Sequence, residues 1–100
     1  MTTEHNKAAL VTGGSRGIGY GIAEELATSG WNLAINGMRP EADVAQPLDD
    51  LRRRGVEVAY CRGDVSSAAA RSRILEEVRA KFDRLDLLLS LIHISEPTRQ

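Results

Sequence analysis

The run Thr12-Gly13-Gly14-Ser15-Arg16-Gly17-Ile18-Gly19 is where residue types and spacing bear most directly on chemistry. It follows a short apolar stretch, residues 8–11, and leads into a segment with apolar residues at helical spacing, Ile18, Ile22 and Leu26. Strand, glycine turn and helix start in that order present backbone N–H groups that no helical carbonyl satisfies. The helix dipole adds partial positive charge at the same place, so the corner suits a diphosphate. Gly13 permits the tight turn, Gly17 lets the backbone approach a phosphate with no Cβ between them, and Gly19 lets the helix pack close on the sheet. Glycines in a turn can mean only a turn; here the strand before, the helix after and the strand beyond all agree with the phosphate reading.

The remaining reactive side chains are sparse. Cys61 is the single cysteine, which excludes an internal disulfide. It falls in a strand-like run with no base beside it and reads as a buried, inert thiol. His5 lies in a polar leader and His93 near the end, and neither belongs to a metal-ligand spacing. The longest basic run, Arg52-Arg53-Arg54, closes a helical segment before Gly55, where cations complement the dipole; a phosphate-contact patch is the weaker alternative.

The elements that must position the glycine turn alternate regularly. Strands are expected at residues 8–12, 31–36, 56–62 and 85–89, and helices at 17–29, 41–54 and from Ser66 or Ser67 to about Phe82. Gly30 and Gly55 end the first two helices, and Pro47 is expected to separate or kink the first turn of the second. Leu33 and Ile35 share one strand face, Val44, Leu48 and Leu51 form one helical stripe, and Ile74, Val78 and Phe82 another, with Leu75 beside it. Alternating strands and helices give an α/β fold, a doubly wound parallel sheet with right-handed crossovers and strand order 3-2-1-4. The first strand then sits next to the topological switch, where ligands bind in such sheets.

Composition narrows the partners. The chain has 100 residues, 42% hydrophobic and 27% charged, with 13 basic and 14 acidic residues and a net charge of -1. That is ordinary globular material for one small domain. The charges are interspersed, so there is no electrostatic footprint for nucleic acid. No apolar run approaches the roughly 20 residues of a membrane span, and the polar start, Met1 to Lys7, is no signal peptide; a cytoplasmic location is the expectation.

The spacing Thr-Gly-x-x-x-Gly-x-Gly at Thr12–Gly19 resembles the short-chain dehydrogenase/reductase family in its classical branch. Gly63-Asp64-Val65 after the third strand and Arg84-Leu85-Asp86-Leu87-Leu88 before the chain's end are the second and third points of likeness. Asn36-Gly37-Met38-Arg39-Pro40 leans toward the 3-oxoacyl-(acyl carrier protein) reductase type. The resemblance covers about residues 7–89 and implies a Rossmann-type fold truncated after the fourth strand, and an oxidoreductase that uses NAD(P)(H) on a small carbonyl or alcohol substrate. It also implies that Asp64 meets the adenine amino group and that the following backbone N–H, at Val65, meets the ring; a turn or cap role for Asp64 stays open. Cofactor contacts are therefore expected at Thr12, Gly13, Ser15, Arg16, Gly17, Ile18, Gly19, Arg39, Asp64 and Val65.

An NAD-preferring site carries a carboxylate at the end of the second strand to grip the ribose 2′-OH. Here that position is Gly37, and no acid follows until Glu41. Arg16 and Arg39 flank it, and a guanidinium suits a 2′-phosphate, so NADP(H) is expected over NAD(H). The family's Asn-Asn-Ala-Gly segment and its serine and Tyr-x-x-x-Lys find no counterpart: Ser90-Leu91-Ile92-His93 stands in place of the first, Tyr20 is followed four residues on by Glu24, and Tyr60 by Asp64. No catalytic residue is expected within these residues, and the fragment itself is expected to be inactive, or a non-catalytic dinucleotide-binding module. Leu89-Ser90-Leu91-Ile92-His93-Ile94-Ser95-Glu96-Pro97-Thr98-Arg99 resembles the translation of a transposase-type sequencing adapter. The division expected is thus a dinucleotide-binding half, 1–89, and a non-native tail, 90–100, the alternative being a divergent segment with Ser95 capping a helix near Pro97. A homo-oligomer is expected only of the intact parent, and the apolar fourth strand, left at an edge, is expected to aggregate.

Overall fold

The computed structural model describes residues 7–13 and 17–90. Ser15 and Arg16 of the glycine turn, both histidines and the tail from Leu91 onward lie outside the described residues. The elements are β1 (Ala8–Thr12), α1 (Gly17–Thr28), β2 (Asn32–Gly37), a 3-10 turn (Glu41–Val44), α2 (Ala45–Arg52), β3 (Val58–Arg62), α3 (Ala68–Phe82) and β4 (Leu87–Ser90). All pairings are parallel and the strand order is β3-β2-β1-β4, the order expected, with right-handed crossovers giving the parallel sheet.

All five residues of β1 are buried, because the strand is covered on both faces. Ala9, Val11, Leu33, Ile35 and Val58 form one face, beneath Ala23 and Ala27 of α1 and Leu48 and Leu51 of α2. Leu10, Ala34 and Cys61 form the other, beneath Ile74 and Val78 of α3. The period-2 alternation of β1 and β2 thus feeds two separate cores, with Leu33, Ile35, Leu48, Leu51 and Ile74 fully enclosed. Burying each such side chain is worth about 1.5–3 kcal/mol.

The packing face of α1 differs from the expected stripe. Ile18 is 78% exposed, and the residues that meet the sheet are Gly19, Ala23 and Ala27. Small residues one turn apart let the helix axis approach the strands, and the larger apolar residues are displaced to its flanks. The expected helix 41–54 is two pieces: Val44, at φ −120° and ψ 16°, breaks the helical path between the 3-10 turn and α2. The separation expected of Pro47 is therefore present: it has no N–H for Asp43 O, four residues back, and as the third residue of α2 it leaves that helix itself unkinked. Val44, Leu48 and Leu51 nonetheless form one buried stripe. β3 and β4 each begin two residues later than expected, at Val58 and Leu87. Asp86 N–H still reaches Ala8 O at 2.8 Å, and Leu85 packs beside the α3 core.

Local chemistry fixes the ends. Gly30, at φ 93°, closes α1, with Trp31 N–H bonded to Leu26 O at 3.0 Å. Ser67 caps α3 through Ala70 N–H at 3.3 Å, and Asp83 ends it in the left-handed region at φ 64°. The triple arginine is spent on the fold: Arg52 pairs with Asp49, Arg53 with Asp50, and Arg54 with Glu24 on α1.

Candidate functional site

The carboxyl ends of β1, β2 and β3 converge on three glycine turns. Gly13 N–H donates to Asn36 O at 2.8 Å, and Gly63 N–H donates to Gly37 O at 3.0 Å. The turns are thereby bonded in a row across one end of the sheet. Buried Asn36 reinforces them: its side-chain amide donates to Cys61 O at 2.8 Å and to Gly63 O at 3.1 Å.

Thr12 is buried at the end of β1, and Gly13 follows at φ 68°. Gly17 opens α1 at φ 65°, a conformation that disfavours any side chain, and a Cβ built there meets no atom of the described residues within 4 Å. Open space over the first N–H groups of α1 fits a dinucleotide diphosphate: the backbone is accessible and positively polarised. Exposed Ile18 borders the same space, while Gly19 is buried against the sheet.

Across the row, Asp64 is exposed and its Oδ1 accepts from Ser66 N–H at 2.9 Å and from Ser66 Oγ at 2.7 Å. The Ser66 hydroxyl and then its backbone N–H hold the Asp64 carboxyl below the usual carboxylate range. Asp64 therefore forms a turn with one oxygen, and its Oδ2 makes no hydrogen bond among the described residues. Val65 is half-buried, and its carbonyl accepts from Arg71 at 2.7 Å. Arg39 lies exposed in the loop after β2. Two side chains of β3 hold that loop: Tyr60 Oη donates to Arg39 O at 2.7 Å, and Arg62 Nε donates to Met38 O at 3.0 Å.

The structure thus brings Thr12, Gly13, Gly17, Ile18, Arg39, Asp64 and Val65 to one end of the sheet, with Gly19 beneath. Asn36, Tyr60 and Arg62 had no place in the expected site. A polar residue at an inward strand position was the signal for Asn36; the other two act through register, which sequence spacing does not display. Tyr20 belongs to α1 and packs against the core, and burial ahead of nearby Glu24 pushes its phenol up. Cys61 is buried, and its thiol is pushed up to about 12, burial being the main cause. Among the described residues no acidic, histidine and cysteine cluster suits a metal, and no helix is long and apolar enough to cross a membrane.

A parallel sheet in this order, with a glycine turn opening the first crossover, defines the Rossmann-type class of dinucleotide folds. The profile described as short chain dehydrogenase matches residues 7–93, and the chain belongs to that family. A hydroxynaphthalene reductase-like protein of Metarhizium anisopliae is 37% identical over 84 residues, covering 84% of this chain and 32% of that protein. A 3-oxoacyl-(acyl-carrier-protein) reductase of Staphylococcus epidermidis is 36% identical over 87 residues, covering 85% of this chain and 35% of that protein. The crystal structure of a 3-oxoacyl-(acyl-carrier protein) reductase from Brucella melitensis in complex with NAD superposes with TM-score 0.80 at 33% identity, covering 94% of this chain and 36% of that one. The chain spans about one third of the length of these relatives.

Proposed function

We propose that this chain is the cofactor-binding part of an NADP(H)-dependent carbonyl reductase acting on a 3-oxoacyl-like ketone. The carrying observation is the combination at the sheet end: open space over Gly17 at the start of α1, and a glycine, Gly37, where an NAD-type site would carry a carboxylate. Bound there, the nicotinamide cofactor would supply the hydride that reduces the carbonyl carbon. The residues of this chain bind and orient. The first N–H groups of α1 take the diphosphate, Asp64 Oδ2 and Val65 N–H take the adenine edge, and Arg39, with Arg16, takes the 2′-phosphate. The substrate class is supported by the Staphylococcus relative, named a 3-oxoacyl-(acyl-carrier-protein) reductase.

Substrate-reducing residues are expected in the part of the parent that this chain does not span, so these 100 residues should bind cofactor and turn nothing over. The NAD held by the Brucella reductase favours a second reading, an NAD-using parent. Titration of the full chain with NADPH and with NADH, followed by nucleotide fluorescence, separates the two. Tighter NADPH binding that is lost in Gly17→Val and loses its preference in Arg39→Ala supports the proposal. Equal affinities would leave the NAD reading, and absence of binding by either nucleotide would remove the site.

A further inference from the structure

Gly37 has a neighbour that no side chain at that position could coexist with unmoved. A Cβ built on it lies 2.7 Å from Tyr60 Oη and 3.5 Å from Tyr60 Cε1 and Cζ. Tyr60 is on β3, opposite Ile35 in the ladder, and its phenol leans along the strand to cover the glycine. From there Oη donates to the carbonyl of Arg39 at 2.7 Å, while Arg62 fastens the preceding carbonyl, that of Met38. Burial, more than the opposing pull of the Arg39 and Arg62 cations, raises the pKa of the Tyr60 phenol, so it remains a donor at neutral pH.

We propose that Tyr60 is a positioning residue for cofactor selectivity: its hydroxyl occupies the space that a Cβ at position 37 would need, and fixes the backbone from which the Arg39 guanidinium reaches the adenosine 2′-phosphate. This rests on the dinucleotide site proposed above and adds to it a residue that itself touches no cofactor. An arginine on a loose loop forfeits part of each hydrogen bond to the entropy of ordering the loop; an anchored one does not. A Tyr60 that served only the fold would affect both dinucleotides alike.

The test uses the full chain and two variants that disturb the same contact from opposite sides. Tyr60→Phe keeps the ring and removes the donor; Gly37→Ala keeps the donor and pushes it off the Arg39 carbonyl. NADPH and NADH affinities are measured by fluorescence titration, with thermal melts alongside. Loss of one hydrogen bond predicts NADPH affinity lower by about 3- to 10-fold in each variant, with NADH changed less than about twofold. Combining the two should cost less than the product of the separate losses, since either alone already breaks the bond. An unchanged NADPH to NADH ratio in Tyr60→Phe, with the wild type binding, overturns this inference and leaves the site standing. A parallel loss for both nucleotides also overturns it, in favour of a structural role. If the wild type binds neither, the site falls and the inference with it.

Discussion

Asn36 offers the sharpest test of how the sheet end is held together. Its side-chain amide is buried and donates to Cys61 O at 2.8 Å and to Gly63 O at 3.1 Å. Asn36→Ala leaves the backbone ladder of β2 intact and strips both carbonyls of that donor. At a net 0.5–1.5 kcal/mol for each bond, the loss is about 1–3 kcal/mol. In a domain of this size a loss near 2 kcal/mol lowers the melting midpoint by about 8–16 °C. Asn36→Asp is the informative companion. Its carboxylate is buried facing two carbonyls with nothing to donate, whereas its protonated form donates once. The folded-state pKa of the introduced group is therefore raised above the unfolded value of about 3.9. Its destabilisation is small below that value and grows as pH rises through it, so Asn36→Asp should be less stable than Asn36→Ala at pH 7 and recover toward pH 4. Melts by circular dichroism at several pH values measure both. A midpoint for Asn36→Ala within about 2 °C of wild type, far below the shift expected from two lost bonds, or a deficit in Asn36→Asp that ignores pH, would refute the assignment of these bonds.

Cys61, buried with its thiol pushed up to about 12, should resist iodoacetamide at pH 8 until the chain is unfolded in urea. Because the unfolded thiol ionises first, stability should fall as pH rises from about 9 toward about 12, and Cys61→Ala should abolish that component of the pH profile. Leu88, 54% exposed on β4, should tolerate Lys with a stability change within about 0.5 kcal/mol while light scattering on heating declines, since charge on an edge strand opposes pairing with another chain. Asp83→Gly, at φ 64°, should raise stability by up to about 1 kcal/mol in urea titration, because glycine occupies the left-handed region without a Cβ penalty.

Much of this was legible in the residues. Alternating strand and helix signals point to a parallel α/β sheet, the order β3-β2-β1-β4 agrees with the order expected, and the spacing of Gly13, Gly17 and Gly19 marks where the first crossover turns. The misread face of α1 has a physical cause. Ile18, Ile22 and Leu26 are the largest apolar residues of α1 and suggested its buried face, but a helix lying on a sheet puts its smallest residues at closest approach, here Gly19, Ala23 and Ala27. The separate first turn expected of Pro47 is present, with the break at Val44, whose side chain is fully buried. Contacts between distant residues were beyond spacing altogether. Tyr60 with Arg39 and Asn36 with Cys61 are separated by 21 and 25 positions and meet only once β2 and β3 take their register.

That register also builds the end of the sheet proposed to hold the ligand. At the carboxyl end, Gly13, Gly37 and Gly63 stand side by side, joined by backbone hydrogen bonds and by Asn36 behind them. The glycines let neighbouring side chains close in, Tyr60 over Gly37 and Arg73 with Ile74 over Gly63, and the backbone between the turns is held. The opposite end has a cleft of its own, lined by Asn32, Glu57, Lys81, Phe82, Asp83 and Arg84. Part of its polar lining is committed: Glu57 N–H donates to Asn32 Oδ1 at 3.0 Å, and Arg84 grips both oxygens of Asp86 at 2.7 Å. The proposed diphosphate site at the glycine row rests instead on the first N–H groups of α1, which a helix start leaves without intrahelical partners.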